Sequence, residues 1–298
     1  MNLPLVTAVL VCWNHERFVR ASILSALRQT YPNIQLIVFD NDSHDGSRKI
    51  IESLAEEHGF TFIHQPNVGL VKTLNRGLEM ARGKYFSPVA TDDVWLLDKI
   101  ERQVAFMEKE QDVDMVCGNT VIIDGENQLL NIPPSTRPRL EITFKHLMEV
   151  GNAVQGPTVM VCTKALLDEG GYDESIQVED YALALAFSSQ GRRIVHTGEL
   201  YTLYRRHGNN WTSRPLFKEY MEIGRPYRET PEYRRYVRSH LNGYFRMLAS
   251  ENKKEALHLL LNEPIAWSLS DVGVGMIKLL APNSIIKVFR THRRANAY

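Results

Sequence analysis

The run Leu5-Val6-Thr7-Ala8-Val9-Leu10-Val11-Cys12 limits what this chain can become more than any other segment. Almost every residue in it is apolar or β-branched, and no polar alternation marks a wet face. Such a run fits a strand covered on both sides, the situation of a central strand in a parallel sheet. Val19, Ile23 and Leu27 then recur at helical spacing as far as Tyr31-Pro32, and Ile34 to Phe39 is a second apolar run, so the chain opens with a βαβ unit. The pattern goes on with a polar turn (Asp40 to Ser47), a helix carrying Ile50, Ile51, Leu54 and Ala55, and a short strand at Phe60 to Ile63. A helix with Leu70, Leu74, Leu78 and Ala81 on one face follows. This alternation over about 90 residues predicts an α/β fold with a doubly wound, mostly parallel sheet, whose ligands gather at the carboxyl ends of its strands. The site is expected near residues 13, 40 and 90.

Beyond Asp93 the even alternation breaks. A helix with Ile100, Val104 and Met107 leads to strand-like pieces at 114–119 and 120–124, then to a Pro-rich loop at 132–138. A strand at 158–162, a helix from about Tyr181 to Ser189 and strands near 194–196 and 200–205 follow. From Arg214 onward the chain reads as a helical appendage. The expected divisions are 1–105 and 106–213 as two halves of one domain, and 214–298 as a helical region.

Composition removes several classes of function. Lys plus Arg number 35 and so do Asp plus Glu, so no overall field draws the chain to nucleic acid. Cys12, Cys117 and Cys162 are odd in number and far apart, which argues for buried thiols rather than a disulfide framework or a zinc site. The apolar run to Trp13 is too short to span a bilayer and lacks a basic leader or cleavage site, so a cytoplasmic location is expected.

Carboxylates stand at the predicted strand ends. In Asp40-Asn41-Asp42-Ser43-His44-Asp45-Gly46-Ser47, a carboxylate can accept from a base N–H or a ribose hydroxyl, or the segment can simply make Asx turns and cap the next helix. Capping accounts for Asp45 and Ser47 better than for Asp40, which ends the strand. Ala90-Thr91-Asp92-Asp93-Val94-Trp95 sets two acids side by side. Such a pair needs a cation or strong donors, and hard oxygen ligands suit Mg²⁺ or Mn²⁺ on a diphosphate; the plainer reading is one helix N-cap. Asp180, in Glu179-Asp180-Tyr181, has the same plain reading. Tyr204-Arg205-Arg206-His207-Gly208-Asn209-Asn210 suits a lid over a diphosphate or a solvated loop.

Taken in order, these pieces resemble the inverting family 2 glycosyltransferases of the GT-A fold, the type that builds bacterial cell-surface polysaccharides, from about Leu5 to Trp211. The family's strand ending in an aromatic-Asn pair is similar to Val9-Leu10-Val11-Cys12-Trp13-Asn14, and its Gln-Thr-Tyr-Pro stretch to Gln29-Thr30-Tyr31-Pro32. Val38-Phe39-Asp40-Asn41-Asp42-Ser43 resembles its Val-Val-Asp-Asp-Gly-Ser turn. Asn67-Val68-Gly69, Asn75-Arg76-Gly77, Gly170-Gly171-Tyr172-Asp173-Glu174 and Glu179-Asp180 are similar to further family elements. Any one piece is common, whereas six in order are not. One departure matters: Ala90 stands where the family's Asp-x-Asp motif has its first Asp, so Thr91-Asp92-Asp93 looks like a variant form.

The resemblance implies a nucleotide-sugar-binding half (1–105) and an acceptor-binding half (106–213). It implies that Trp13 lies against the base with Asn14 beside it, that Asp40 binds the base, and that Lys72 approaches the phosphates. Asp92 and Asp93 would hold the ribose and a Mn²⁺ or Mg²⁺ ion, and His207 would close over the diphosphate. Asp180 would be the general base for the acceptor hydroxyl. The implied partners are a nucleotide-sugar donor, UDP favoured, and a glycan or lipid-linked glycan acceptor. A fold relative that has lost catalysis and acts as a scaffold is the alternative that Ala90 raises. A nicotinamide-dependent oxidoreductase is excluded because the first turn, Trp13-Asn14-His15-Glu16, has no glycine for a pyrophosphate to approach. Residues 272–298 contain no acid but carry Lys278, Lys287, Arg290, Arg293 and Arg294 among apolar residues. That composition suits contact with an anionic membrane surface, peripheral on the inner face, or a core-packed helix with a basic tail.

Overall fold

The opening apolar run forms strand β1 (Val6–Cys12), every residue of which is buried. It lies between β2 (Ile34–Asn41) and β4 (Tyr85–Ala90) and runs parallel to both, with β3 (Thr61–Gln65) parallel outside β2. The computed structural model describes residues 3–130, 136–207, 216–262 and 269–280. Helices α1 (Val19–Leu27), α2 (Ser47–His58) and α3 (Leu70–Glu79) make the crossovers. Each buries a stripe spaced at three to four residues, such as Val71, Leu74 and Leu78 on α3. From β1 the chain steps outward to β2 and β3, then returns to the other side of β1 for β4. That reversal opens a crevice at the carboxyl ends of β1 and β4, the place where such sheets bind ligands.

Past β4 the sheet becomes mixed, continuing through β8 (Met160–Cys162), β6 (Val113–Ile123), β9 (Arg193–Arg205) and β5 (Val94–Trp95), with β7 (Leu140–Glu141) also on β9. The four parallel pairings include all the long ones. Here the sequence reading needed correction. The pieces expected at 114–119 and 120–124 are the single strand β6, and those near 194–196 and 200–205 are the single strand β9. Bulges account for the difference: β6 and β9 pair in parallel with register shifts around Gly118. A Cβ on Gly118 would stand 2.5 Å from the Tyr201 ring, so only glycine fits there.

Chain contacts divide the molecule into two units. The first comprises Met1–Leu129, Pro133–Phe144 and Asn152–Gly208, and contains the sheet. Its main core, including Val6, Leu10, Ile23, Val38, Ile51 and Trp95, joins β1 and its neighbours to α1 and α2. Fully burying one such side chain contributes about 1.5–3 kcal/mol. Cys12 and Cys117 are buried free thiols of this unit, whereas Cys162, expected to be buried as well, is half-buried. The second unit comprises Leu130–Ile132, Lys145–Gly151 and Asn209–Tyr298. It includes α8 (Phe217–Gly224), α9 (Tyr233–Glu251), α10 (Lys253–Asn262) and α11 (Leu269–Leu280), packed around Phe245, Leu248, Ala249 and Ala256. Among the described residues no helix is long and apolar enough to cross a membrane. On α11, Ile277 and Leu280 are 70% and 76% exposed. Lys287, Arg290, Arg293 and Arg294 lie outside the described residues, as do Gly208 to Trp211 and residues 132–135 of the Pro-rich loop.

Candidate functional site

The turns after β1 and β2 are bonded to each other. Asn14, in the left-handed region at φ 57°, accepts from the His44 N–H through Oδ1 (2.8 Å), while its own N–H donates to Ser43 Oγ (2.9 Å). Ser47 Oγ accepts from the His15 N–H, Asp45 from the Glu16 N–H, and Glu16 from the Gly46 N–H. Asp45 also accepts from the Ser47 N–H, so the Asx-turn reading of Asp45 holds. Trp13, at the mouth of this pair of turns, is half exposed. Lys72 is exposed in the first turn of α3, a helix tied to β2 by the bond from Asn41 Nδ2 to Gly69 O (3.4 Å).

Asp40, next to last in β2, is fully buried. Its Oδ2 lies 2.9 Å from His64 Nδ1 and accepts from the Ser43 N–H at 3.3 Å. Its Oδ1 is buried with no hydrogen-bond partner. A buried carboxylate oxygen left in that state costs free energy that a ligand N–H or O–H would recover.

The second group follows β4. Helix α4 (Lys99–Lys109) begins after Asp98, and β5 intervenes, so neither Asp92 nor Asp93 is a helix cap. The two aspartates differ. Asp93 is buried and its Oδ1 accepts from the Arg205 N–H (2.8 Å); burial, and then the neighbouring charge of Asp92, push its carboxyl well above the ordinary range. Asp92 Oδ2 lies 3.2 Å from His207 Nε2. Burial opposes its ionised form, but the His207 hydrogen bond and the nearby His15 outweigh it and hold the carboxyl below the ordinary value.

Arg205, fully buried at the end of β9, braces this turn. Its side chain donates to Asp92 O, Asp124 O and Asn127 Oδ1, each at 2.7 Å, and its guanidinium carbon lies 4.6 Å from the Phe18 ring centroid. The Phe18 ring also lies against His207, 5.0 Å between centroids. One ring nitrogen of His15, one of His207 and one carboxylate oxygen of Asp92 lie within 4.8 Å of one another. This donor set fits a divalent cation: hard oxygen and borderline nitrogen converge from three separate elements.

Asp180 sits inside the first turn of α7 (Glu179–Ser189), whose N-cap is Val178, so the N-cap reading of Asp180 fails by two residues. Its Oδ1 accepts from its neighbour's N–H at Tyr181 (2.7 Å), and it is also hydrogen-bonded by the Gly156 backbone and the Asn152 side chain. A small cleft lined by Pro88, Met115, Tyr172, Glu179, Asp180 and Leu183 surrounds it. Pro88 belongs to β4, the strand that ends at Ala90 and leads directly to Asp92 and Asp93. Burial raises Asp180 to about 6; burial and then the Asp180 charge raise Glu179 to about 8.

Sequence reasoning passed over His15, His64 and Asn152. Each is a single polar residue in a turn or at a strand end, with no local pattern to mark it. Arg205 was visible only as one cation among three.

Residues 7–167 match the model of Glycosyl transferase family 2. An uncharacterized glycosyltransferase of Rickettsia prowazekii (strain Madrid E) is 32% identical over 192 residues, which cover 62% of this chain and 58% of that protein. The chain thus matches well under two thirds of that relative's length. The Escherichia coli UDP-Glc:alpha-D-GlcNAc-diphosphoundecaprenol beta-1,3-glucosyltransferase WfaP is 28% identical over 225 residues, 73% of this chain and 83% of that one. Among solved structures, S. aureus TarS 1-349 in complex with UDP-GlcNAc aligns with TM-score 0.64 at 16% identity, covering 92% of this chain and 81% of that one. At that identity the likeness speaks for the fold alone, and it agrees with the GT-A fold that the resemblance implies. With the family model spanning more than half of its length, the chain belongs to glycosyl transferase family 2.

Proposed function

We propose that this chain is a metal-dependent, inverting glycosyltransferase. It moves a hexose-type sugar from a nucleotide diphosphate, UDP favoured, to a hydroxyl of a glycan or lipid-linked glycan. The observation that carries this reading is the presence, in one unit, of three acids in unlike surroundings. Asp40 offers a buried oxygen lacking a donor, Asp92 is paired with His207, and Asp180 is held near 6 in a cleft. Each suits a different part of the reaction.

In this reading Trp13 lies against the base and Asp40 Oδ1 accepts its N–H, with Asn14 holding the turn between them. Lys72 approaches the phosphates. Asp92 and His207 hold Mn²⁺ or Mg²⁺, with Asp93 as the buried support of Asp92 rather than a ligand. A divalent cation bound there offsets the charge on the departing diphosphate, so no protein acid is required at the leaving group. Asp180 takes the proton of the acceptor hydroxyl as that oxygen attacks the anomeric carbon from the face opposite the diphosphate, which inverts the configuration. WfaP is named as using UDP-Glc and a diphosphoundecaprenol-linked acceptor, which supports both the UDP preference and a lipid-linked acceptor.

Incubation with UDP-, GDP- and dTDP-sugars plus Mn²⁺, read as release of free nucleotide diphosphate, tests the reading. UDP-sugar is expected to be consumed. A panel left intact would move the chain to the scaffold alternative that Ala90 raises.

A lipid-linked acceptor places the enzyme at the cytoplasmic face of a membrane. The exposed Ile277 and Leu280 of α11, beside Lys278 in the acid-free segment 272–298, suit an anionic surface. Full-length protein is expected to float with anionic vesicles and not with neutral ones, and I277E/L280E to lose that binding. Equal flotation of wild type and variant would remove α11 from the contact.

A further inference from the structure

We propose that His15 is a third ligand of the divalent cation, and that two imidazoles with one carboxylate select Mn²⁺ or a softer dication over Mg²⁺. The inference rests on the reading that Asp92 and His207 hold a metal, and it adds a residue and a selectivity to it.

The three side chains come from the turn after β1, the turn after β4 and the end of β9, yet their donor atoms lie within 4.8 Å of one another. Two ligands about 2.1 Å from one ion stand at most about 4.2 Å apart, and less when they are not opposite each other, so a pair at the 4.8 Å limit has to close by roughly half an ångström to one ångström to complete the set. Each donor is held from outside. The Thr91 hydroxyl lies 2.9 Å from His15 Nδ1, Arg205 donates to Asp92 O, and Phe18 lies against both histidine rings. Metal-binding histidines are oriented in this manner, by a polar partner on one ring nitrogen while the ring as a whole is fixed. The His15 backbone is fixed as well, because its N–H donates to Ser47 Oγ at 2.9 Å.

Donor chemistry then sets the preference. Mg²⁺ takes oxygen ligands and gives up water reluctantly, whereas imidazole nitrogen suits later first-row dications, and Mn²⁺ accepts both kinds of donor. A site with one carboxylate and one imidazole would discriminate weakly. A second imidazole tilts it further from Mg²⁺.

The test is direct metal binding by the full-length chain, with and without UDP, followed by the fall of the free Mn²⁺ paramagnetic resonance signal and by back-titration with Mg²⁺. H15A is expected to weaken Mn²⁺ binding about 10–100-fold and to let Mg²⁺ displace Mn²⁺ at correspondingly lower concentration. H15D, which restores an oxygen donor, is expected to recover Mn²⁺ binding while Mg²⁺ competes better than in wild type. Thermal melts check that the variants fold, and H15Q replaces H15A if the latter does not. Wild-type Mn²⁺ affinity in H15A, or Mg²⁺ competing equally against wild type and H15A, would overturn the role of His15 while leaving Asp92 and His207 in place. Mn²⁺ binding unaffected by D92N, or no Mn²⁺ binding by wild type in either arm, would overturn both readings.

Discussion

Replacing Asp180 with Asn is expected to cut sugar transfer about 100- to 10,000-fold while leaving nucleotide-sugar affinity nearly unchanged. Asn keeps the size of the side chain and an oxygen to accept the Tyr181 N–H, so the first turn of α7 survives the change. What disappears is the basic site. Burial raises Asp180 to about 6, which makes it a stronger base than an exposed carboxylate yet leaves it ionised at neutral pH. The rate is therefore expected to rise through about pH 6.

Glu179 beside it is raised to about 8 by burial and by the Asp180 charge, so at neutral pH it carries a proton. The two carboxyls titrate as a pair, the first proton leaving near 6 and the second near 8. Both folded values lie above the ordinary ones. The folded chain thus binds protons that the unfolded chain has released, and stability falls as pH rises from the ordinary carboxyl range through about 8. E179Q leaves the limb near 6 in the rate profile and removes the decline in stability between about 6 and 8. Initial rates of nucleotide release against pH, with urea melts at either end of that window, check both statements. An Asp180→Asn variant with wild-type turnover would remove Asp180 from the chemistry.

Asp92 and Asp93 are adjacent in sequence but are expected to respond differently. D92N should lower turnover about 100- to 1,000-fold, the usual cost of losing one group that stabilises developing charge, and should abolish the response to added Mn²⁺. D93N should keep that response and change turnover far less. Burial and the neighbouring Asp92 charge hold Asp93 well above the usual carboxylate range, and its Oδ1 is already committed to accepting the Arg205 N–H. Asn is a neutral group of nearly the same shape, and its amide oxygen accepts the same bond. Steady-state rates across a Mn²⁺ titration for the two single variants decide the matter; a larger loss in D93N would reverse the assignment.

The opening β1 to β4 portion of the sheet is legible in the sequence. The run from Leu5, the periodicity of α1 to α3 and the place of Asp40 near the end of β2 are local properties, because each records which residues must face away from water. The later half was read less well. β6 and β9 each read as two short pieces when considered one at a time, and only their pairing, with register shifts at Cys117/Asn119 and Asn119/Thr120, joins the pieces into single strands. The capping explanations for Asp92, Asp93 and Asp180 were open in the sequence because capping depends on where a helix begins to within one residue. The structure starts α4 after Asp98 and α7 after Val178.

The sequence by itself therefore determined the class of sheet, the order of its strand ends and the acids carried there. Tertiary structure alone decided which acids act together and with what. His15 and Asp92 meet because β1 and β4 are parallel neighbours, and His207 joins them because β5, directly after Asp93, pairs with β9 (Val94 opposite Leu203), whose Arg205 braces the turn that holds Asp92. Hydrophobic periodicity specifies which face of an element is buried. It carries no information about which distant element will cover that face, so a histidine in a polar turn gives no local sign of the carboxylate it will meet.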